Sequence, residues 1–336
     1  MKILIRKWRY KTLVVQIDKW RFFFLSIKMI FLFIILHQGC ERKGGIDKPL
    51  PRFTQHCWDP VWSPDGKTIA FGYVPWVKIN KDSFIEKLDS SGIFLIDADG
   101  KNKRPFLISG FLPSFHSPDF SPDGKWLAFI GGPGGEYNLH KAKINGDSII
   151  PLTSYKNYWD RSPKWTPDGK KILFIRVGEP LDSAGLCLIN ADGSKIKVIS
   201  SFCGKGDFLP DYKFVSTCWI NGKKSIWIID TTGLNIKMIS DFPGEVSSCS
   251  PDGKKILLTT YNESTMSYEI WVMNVDETNL KRLCIDGIEP SWSPDGTKIV
   301  YVKYNMYKPA TKYPGYGELW IMDANGLNHK QLTYPD

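Results

Sequence analysis

Short runs of alternating apolar residues recur along most of this chain, each bounded by a turn signature. Ile69 and Phe71 flank Ala70, Leu127 and Phe129 flank Ala128, Ile256 and Leu258 flank Leu257, and Ile299 and Tyr301 flank Val300. Period-two spacing predicts strands, and apolar residues between them predict a sheet covered on both faces. A turn precedes each run: Ser63-Pro64-Asp65-Gly66, Ser121 to Gly124, Thr166 to Gly169, Ser250 to Gly253 and Ser293 to Gly296. Leu209-Pro210-Asp211-Tyr212 is a worn copy. Proline presets φ at the second position of such a turn, and glycine takes the positive φ that closes it. An apolar residue stands just before each copy: Trp62, Phe120, Trp165, Phe208, Cys249 and Trp292.

The motif prolines lie 58, 45, 43, 41 and 43 residues apart, and 42 residues follow the last. Within each period a second strand ends in another turn, as in IFLIDADG (93–100), LCLINADG (186–193), IWIIDTTG (226–233) and LWIMDANG (319–326). A last strand closes the unit, as in 149–153 and 330–333. Four strands per unit and six units predict an all-β fold: a six-bladed β-propeller of four-stranded antiparallel blades, over residues 53–336. The fourth unit departs most. Tyr212 stands where glycine is expected, and a tyrosine at positive φ is costly, so a turn of another form is expected there. Asn221-Gly222 fits a two-residue type I′ hairpin.

The net charge of +9 belongs to the front of the chain. Residues 1–39 carry eight Lys/Arg against one Asp, and the remainder is nearly balanced, with 36 against 34. A basic nucleic-acid surface is therefore not implied. The front has a basic segment and an apolar run, Phe22 to Leu36, interrupted by Ser26 and Lys28 and followed by His37-Gln38-Gly39-Cys40. It reads as an N-terminal export signal over 1–39, with a polar tether over 40–52. Gly39-Cys40 resembles the end of a bacterial lipobox, which implies lipid attachment at Cys40. Plain secretion and an uncleaved anchor are the alternatives. Six further cysteines contain no CxxC pair, which excludes zinc-ribbon and thioredoxin-like sites, and they allow 15 pairings. Cys249, at a tryptophan position, reads as core.

WSPDGKTIAF (62–71), FSPDGKWLAF (120–129), WTPDGKKILF (165–174), WSPDGTKIVY (292–301), LWIMDANG and the trailing QLT at 331–333 resemble the TolB-type, WD-repeat-like propeller repeat. The resemblance implies a bacterial cell-envelope setting. It is also shared by the propeller lids of prolyl-oligopeptidase-like enzymes and by some oligogalacturonate lyases. The chain contains no GxSxG elbow, so the hydrolase reading is set aside. The first reading is thus an extracytoplasmic, membrane-tethered, non-enzymatic propeller that binds envelope proteins, at the periplasmic face or cell surface. A carbohydrate-binding or carbohydrate-active propeller is the alternative.

In a four-stranded blade the first and third connections share one face. The SPDG and DADG turns occupy it and read as structural punctuation, and calcium at Asp97 and Asp99 lacks the ligand series it needs. The other face carries the variable loops, where binding residues collect. Two are long: 74–91, with Trp76 and Lys78, and 303–317, with Tyr304, Tyr307, Lys308, Lys312, Tyr313 and Tyr316. Ring closure makes their blades neighbours, so an aromatic, basic partner-binding rim is expected. A second cluster, Tyr158, Trp159 and Arg161, falls in the link to the third blade near the channel mouth, with an Asp160–Arg161 ion pair as its structural reading. His56 and His116 precede the first strands of adjacent blades, but two histidines make a poor metal site without added carboxylates. No metal and no cofactor are expected.

Overall fold

The computed structural model describes residues 55–80, 83–86, 90–108, 115–132, 137–154, 157–179, 184–304 and 317–334. The expected signal, tether and Cys40 lie outside them. Blade one comprises β1 (Gln55–Trp62), β2 (Thr68–Asn80), β3 (Ser83–Glu86), β4 (Gly92–Asp97) and β5 (Arg104–Ile108). Blade two has β6 (His116–Phe120), β7 (Trp126–Gly131), β8 (Asn138–Lys143) and β9 (Ile149–Pro151). Blade three has β10 (Tyr158–Trp165), β11 (Lys171–Gly178), β12 (Gly185–Asn190) and β13 (Lys197–Ser200). Blade four has β14 (Cys203–Phe208), β15 (Phe214–Ile220), β16 (Lys223–Ile229) and β17 (Ile236–Ser240). Blade five has β18 (Glu245–Cys249), β19 (Lys255–Asn262), β20 (Ser267–Asn274) and β21 (Lys281–Ile285). Blade six has β22 (Gly287–Trp292), β23 (Lys298–Tyr304), β24 (Gly317–Asp323) and β25 (Lys330–Gln331). All pairings are antiparallel and each sheet follows chain order, with β3 as an added hairpin arm on β2. No α-helix occurs among the described residues. The six-bladed propeller read from the repeats is the fold.

The two-sided burial of the second strands makes the ring. Ile69 and Phe71 pack against Val300, Val302, Leu319 and Leu332 of blade six, while Ala70 faces Phe120, Leu127 and Phe129 of blade two. Each of the six blade interfaces has one such apolar cluster, and the interface between blades six and one is built like the others. Among the described residues no strand is shared between blades. Among the described residues blades six and one meet by packing, helped by Cys57 Sγ at 4.0 Å from Thr333 Oγ1 and by Lys330 Nζ donating to the Asp99 carbonyl.

The SPDG turns hold themselves and their neighbours. In blade one the Ser63 hydroxyl donates to Asp65 Oδ1 at 2.6 Å and accepts from the Thr68 amide, while Asp65 also caps the Lys67 amide. The glycine of each SPDG turn lies against the motif proline of the preceding blade. Gly66 meets Pro294 across the closure, and a Cβ on Gly253, which has φ +70, would sit 2.9 Å from Pro210. The turn acids cap their own loops as expected: Asp97 accepts from Asn102 and Arg104, and Asp99 from the Lys101 amide.

Blade four has a turn of another form, as its sequence predicts, and Tyr212 closes it in the left-handed conformation, at φ 66. The turn is one residue shorter: Leu209 N bonds Lys213 O, where Ser63 N bonds Thr68 O. Asn221 and Gly222 both have positive φ, as the type I′ hairpin requires. Segment 74–91 is not a plain loop. β2 continues to Asn80 and pairs with β3, Trp76 opposite Glu86 and Lys78 opposite Phe84. Its β-branched and aromatic residues favour extended backbone.

Candidate functional site

The innermost strands carry the channel. Each of β1, β6, β10, β14, β18 and β22 is bulged where it pairs with its second strand. In four blades the bulge residue is left-handed and precedes proline: Asp59 (φ 47), Ser117 (50), Ser162 (46) and Glu289 (52). Each costs roughly 1–2 kcal/mol relative to an ordinary strand residue. Recurrence at equivalent places marks a built feature, since bulges re-aim side chains. Lys205 and Ser247 lie within the bulges of blades four and five. Lys205 Nζ stands 3.6 Å from Asp59 Oδ1. Blades four and one are opposite in a six-membered ring, so this contact crosses the axis.

Asp59 is the hub. Its Oδ2 accepts from the Ser117 hydroxyl at 2.5 Å, and its amide donates to Glu289 Oε2 at 2.6 Å across the closure. His116 Nδ1 lies 2.9 Å from the same serine oxygen, with its ring edge-on to Tyr137. Burial would raise the Asp59 carboxyl, but Lys205 and the Ser117 hydroxyl outweigh it and hold it below the usual range. Burial pushes His116 down to about 4, so it is neutral at ordinary pH. Nearer the turn face, Lys164 pairs with Asp119 at 3.0 Å, and Asp119 also accepts the Trp165 amide. Asp207 does the same for the Cys249 amide. These acids fasten one inner strand to the next. Cys249 is buried core, as read.

Burial, reinforced by the charge of Asp59, pushes the Glu289 carboxyl up to about 7. A raised carboxyl favours the protonated folded state. The stability it supplies is complete below the free glutamate value and is lost as pH rises through about 7. Glu289→Gln fixes the neutral form. It is expected to leave the melting temperature unchanged near about pH 4 and to stabilise the protein by about 3 kcal/mol near about pH 8, checked by thermal melts across that range.

The predicted site residues separate. Tyr307, Lys308, Lys312, Tyr313 and Tyr316 lie outside the described residues, and Trp76 and Lys78 are placed only by strand register. Tyr304 is not part of an exposed rim. It ends β23, is buried, and sets its ring edge-on to Tyr268 at 5.8 Å. Tyr158, Trp159 and Arg161 start β10, within the innermost strand and not in a link. Tyr158 packs under the Arg176 guanidinium, Arg161 is half-buried, and Trp159 is 46% exposed. Asp160 does not pair with Arg161. It takes two bonds from Arg176, at 2.8 and 3.1 Å, and one from the Thr153 hydroxyl. Adjacent strand residues point to opposite faces, whereas Asp160 and Arg176 are register partners. Among the described residues no group of three or more His, Cys, Asp or Glu is placed to hold a metal.

Exposed aromatics missed by the sequence reading stand on the same face as Trp159. Phe202 precedes β14, Trp219 lies near the end of β15, and Tyr261 begins the hairpin of blade five; they are 63%, 53% and 44% exposed. The Trp219 amide donates to the Phe202 carbonyl, and the adjacent register pair Cys203–Cys218 is disulfide-bonded. The other described cysteines, Cys57, Cys187, Cys249 and Cys284, are free and buried.

No protein-family model matches the chain. It is 23% identical over 257 residues to the Tol-Pal system protein TolB of Francisella tularensis subsp. mediasiatica, covering 73% of this chain and 56% of that protein. The chain thus spans little more than half the length of the curated relatives it matches. The crystal structure of TolB from Acinetobacter baumannii superposes with a TM-score of 0.59 at 20% identity, over 81% of this chain and 62% of that one. An oligogalacturonate lyase in complex with manganese gives 0.52 at 14% identity, over 80% and 90%. These solved structures share the fold. Repeats, blade topology and likenesses agree that the described domain is a TolB-like six-bladed β-propeller.

Proposed function

We propose that the protein is a non-enzymatic propeller of the bacterial cell envelope that binds a partner protein on the face opposite its SPDG turns. The observation that carries this reading is the arc of exposed Trp159, Phe202, Trp219 and Tyr261 across blades three to five, beside the charged channel mouth. Large aromatics held on rigid strands give contact area with few rotors to freeze, and such residues dominate protein interfaces. The Cys203–Cys218 bond supports an oxidising, extracytoplasmic setting. The Tol-Pal name of the curated relatives supports envelope proteins as partners. Lipid at Cys40 would tether the propeller to a membrane, and the aromatic and basic residues of blades one and six would extend the rim.

The test is capture from envelope extract. Replacing Trp159, Phe202 and Trp219 together by alanine is expected to weaken partner capture at least ~tenfold, as for hot-spot residues. Stability should change by only about 0.5 kcal/mol per site, because the side chains are exposed. Undiminished capture by the folded triple variant refutes the rim.

A further inference from the structure

Between blades three and four the channel mouth carries a notch with a cation in its wall. Trp159 and Arg161 alternate with Asp160 on β10, so their side chains share the strand face opposite the Asp160–Arg176 pair. Arg161 is the register partner of Ile175, which packs in the cluster between blades three and four. Gly204, partly exposed on the inner strand of blade four, lies against Ile175. Gly204 does not take positive φ, and a Cβ there would meet nothing closer than Ile175 Cδ1 and Thr217 O, both at 3.9 Å. Backbone and packing would accept a side chain at this place, and its absence leaves open space on the side that Arg161 faces. Exposed Phe202 precedes Gly204 on blade four as exposed Trp159 precedes Arg161 on blade three, and the Cys203–Cys218 bond fixes the strand between them.

The neighbouring cations are taken. Lys205 has Asp59, Lys164 has Asp119 and Arg176 has Asp160. Arg161 is half-buried and, among the described residues, makes no ion pair and no hydrogen bond. Burial lowers its pKa, opposed by Tyr137, a phenol and not a carboxylate. A partly desolvated charge without a counter-charge is costly, and a ligand that brings one relieves the cost. We propose that the notch receives a carboxylate, from an aspartate or glutamate side chain of the partner protein. The planar guanidinium grips it with two parallel bonds, Gly204 gives it room, and the partner residues beside it lie on Trp159 and Phe202. The inference rests on the partner-binding reading of this face and names the chemistry it recognises.

The probes are acetyl-Phe-Glu-Phe-amide and the same peptide with glutamine, which keeps the shape and removes the charge. Titration calorimetry compares them on the full chain. The glutamate peptide is expected to bind about tenfold more tightly. Arg161→Gln should erase that preference and leave the melting temperature equal to the parent's or above it, because an unpaired cation stabilises nothing. Gly204→Val, a β-branched residue suited to a strand, should keep the fold and weaken the glutamate peptide about fivefold or more. Equal affinity for the two peptides, a preference that survives in Arg161→Gln, or a lowered melting temperature in that variant overturns the assignment. Digalacturonate binding more tightly than the glutamate peptide overturns the assignment to a protein side chain in favour of a sugar acid. If Arg161→Gln erases the preference while the triple rim variant keeps its partner, the rim reading falls and the notch stands. If the parent shows no preference while the triple rim variant loses its partner, the notch falls and the rim stands.

Discussion

Replacing Arg176 by methionine is expected to destabilise the propeller by about 3–5 kcal/mol, the cost of stranding one member of a buried ion pair. Arg176 and Asp160 are 3% and 1% exposed. The carboxylate takes two guanidinium bonds and the Thr153 hydroxyl, while its amide donates to the Tyr137 carbonyl of blade two. The pair therefore ties the second strand of blade three to its innermost strand and to the blade before it. Removing the cation leaves a desolvated carboxylate with one hydroxyl. Urea unfolding measures the loss. The double variant Asp160→Leu with Arg176→Met should recover a large part of it, because two apolar groups leave no orphaned charge. A single variant within about 1 kcal/mol of the parent would show that water reaches the site.

The second large effect belongs to blade four. Replacing Cys203 and Cys218 together by serine is expected to cost about 3 kcal/mol, the loop-closure contribution of a bridge spanning a sequence separation of 15. Urea unfolding of the oxidised protein against the double variant gives the difference. The four buried thiols do not compete for the bridge. Burial pushes Cys57 up to about 12 and Cys187 and Cys284 up to about 11, leaving almost no thiolate to attack it. The bridge also holds the strand ends that carry Phe202 and Trp219, so the double variant should bind partner less well even where it remains folded.

The fold was legible because a blade's chemistry is local. Proline, aspartate and glycine at fixed offsets define a turn, and two-sided apolar alternation defines a strand packed between neighbours. The channel was legible only in part. Pro60, Pro118, Pro163 and Pro290 each stand four residues before a motif proline and mark the bulge residues Asp59, Ser117, Ser162 and Glu289. That second periodicity is the local signal of the bulges. Which side chains meet across the axis, such as Asp59 and Lys205, depends on ring closure and has no local signature. Trp219 shows the same limit. Its strand mixes Ser216 and Thr217 with apolar residues, and the register of β15 leaves it exposed. Asp160 pairs with Arg176 and not with its chain neighbour Arg161, because strand register and not chain adjacency sets which side chains share a face.

Among the described residues no strand is shared across the closure, which makes the numbering of the blades a matter of chain order alone. Each sheet is a self-contained cassette of consecutive residues, and residues 57 and 333 touch side by side. A circular permutant opened between blades three and four, with a short linker joining the two ends of the domain, keeps every strand pairing intact. Propellers latched by a borrowed strand lack this freedom, since cutting elsewhere splits the latch from its sheet. In this chain any inter-blade link could serve as an entry point for a fused domain, and the choice would decide only which blade is tethered.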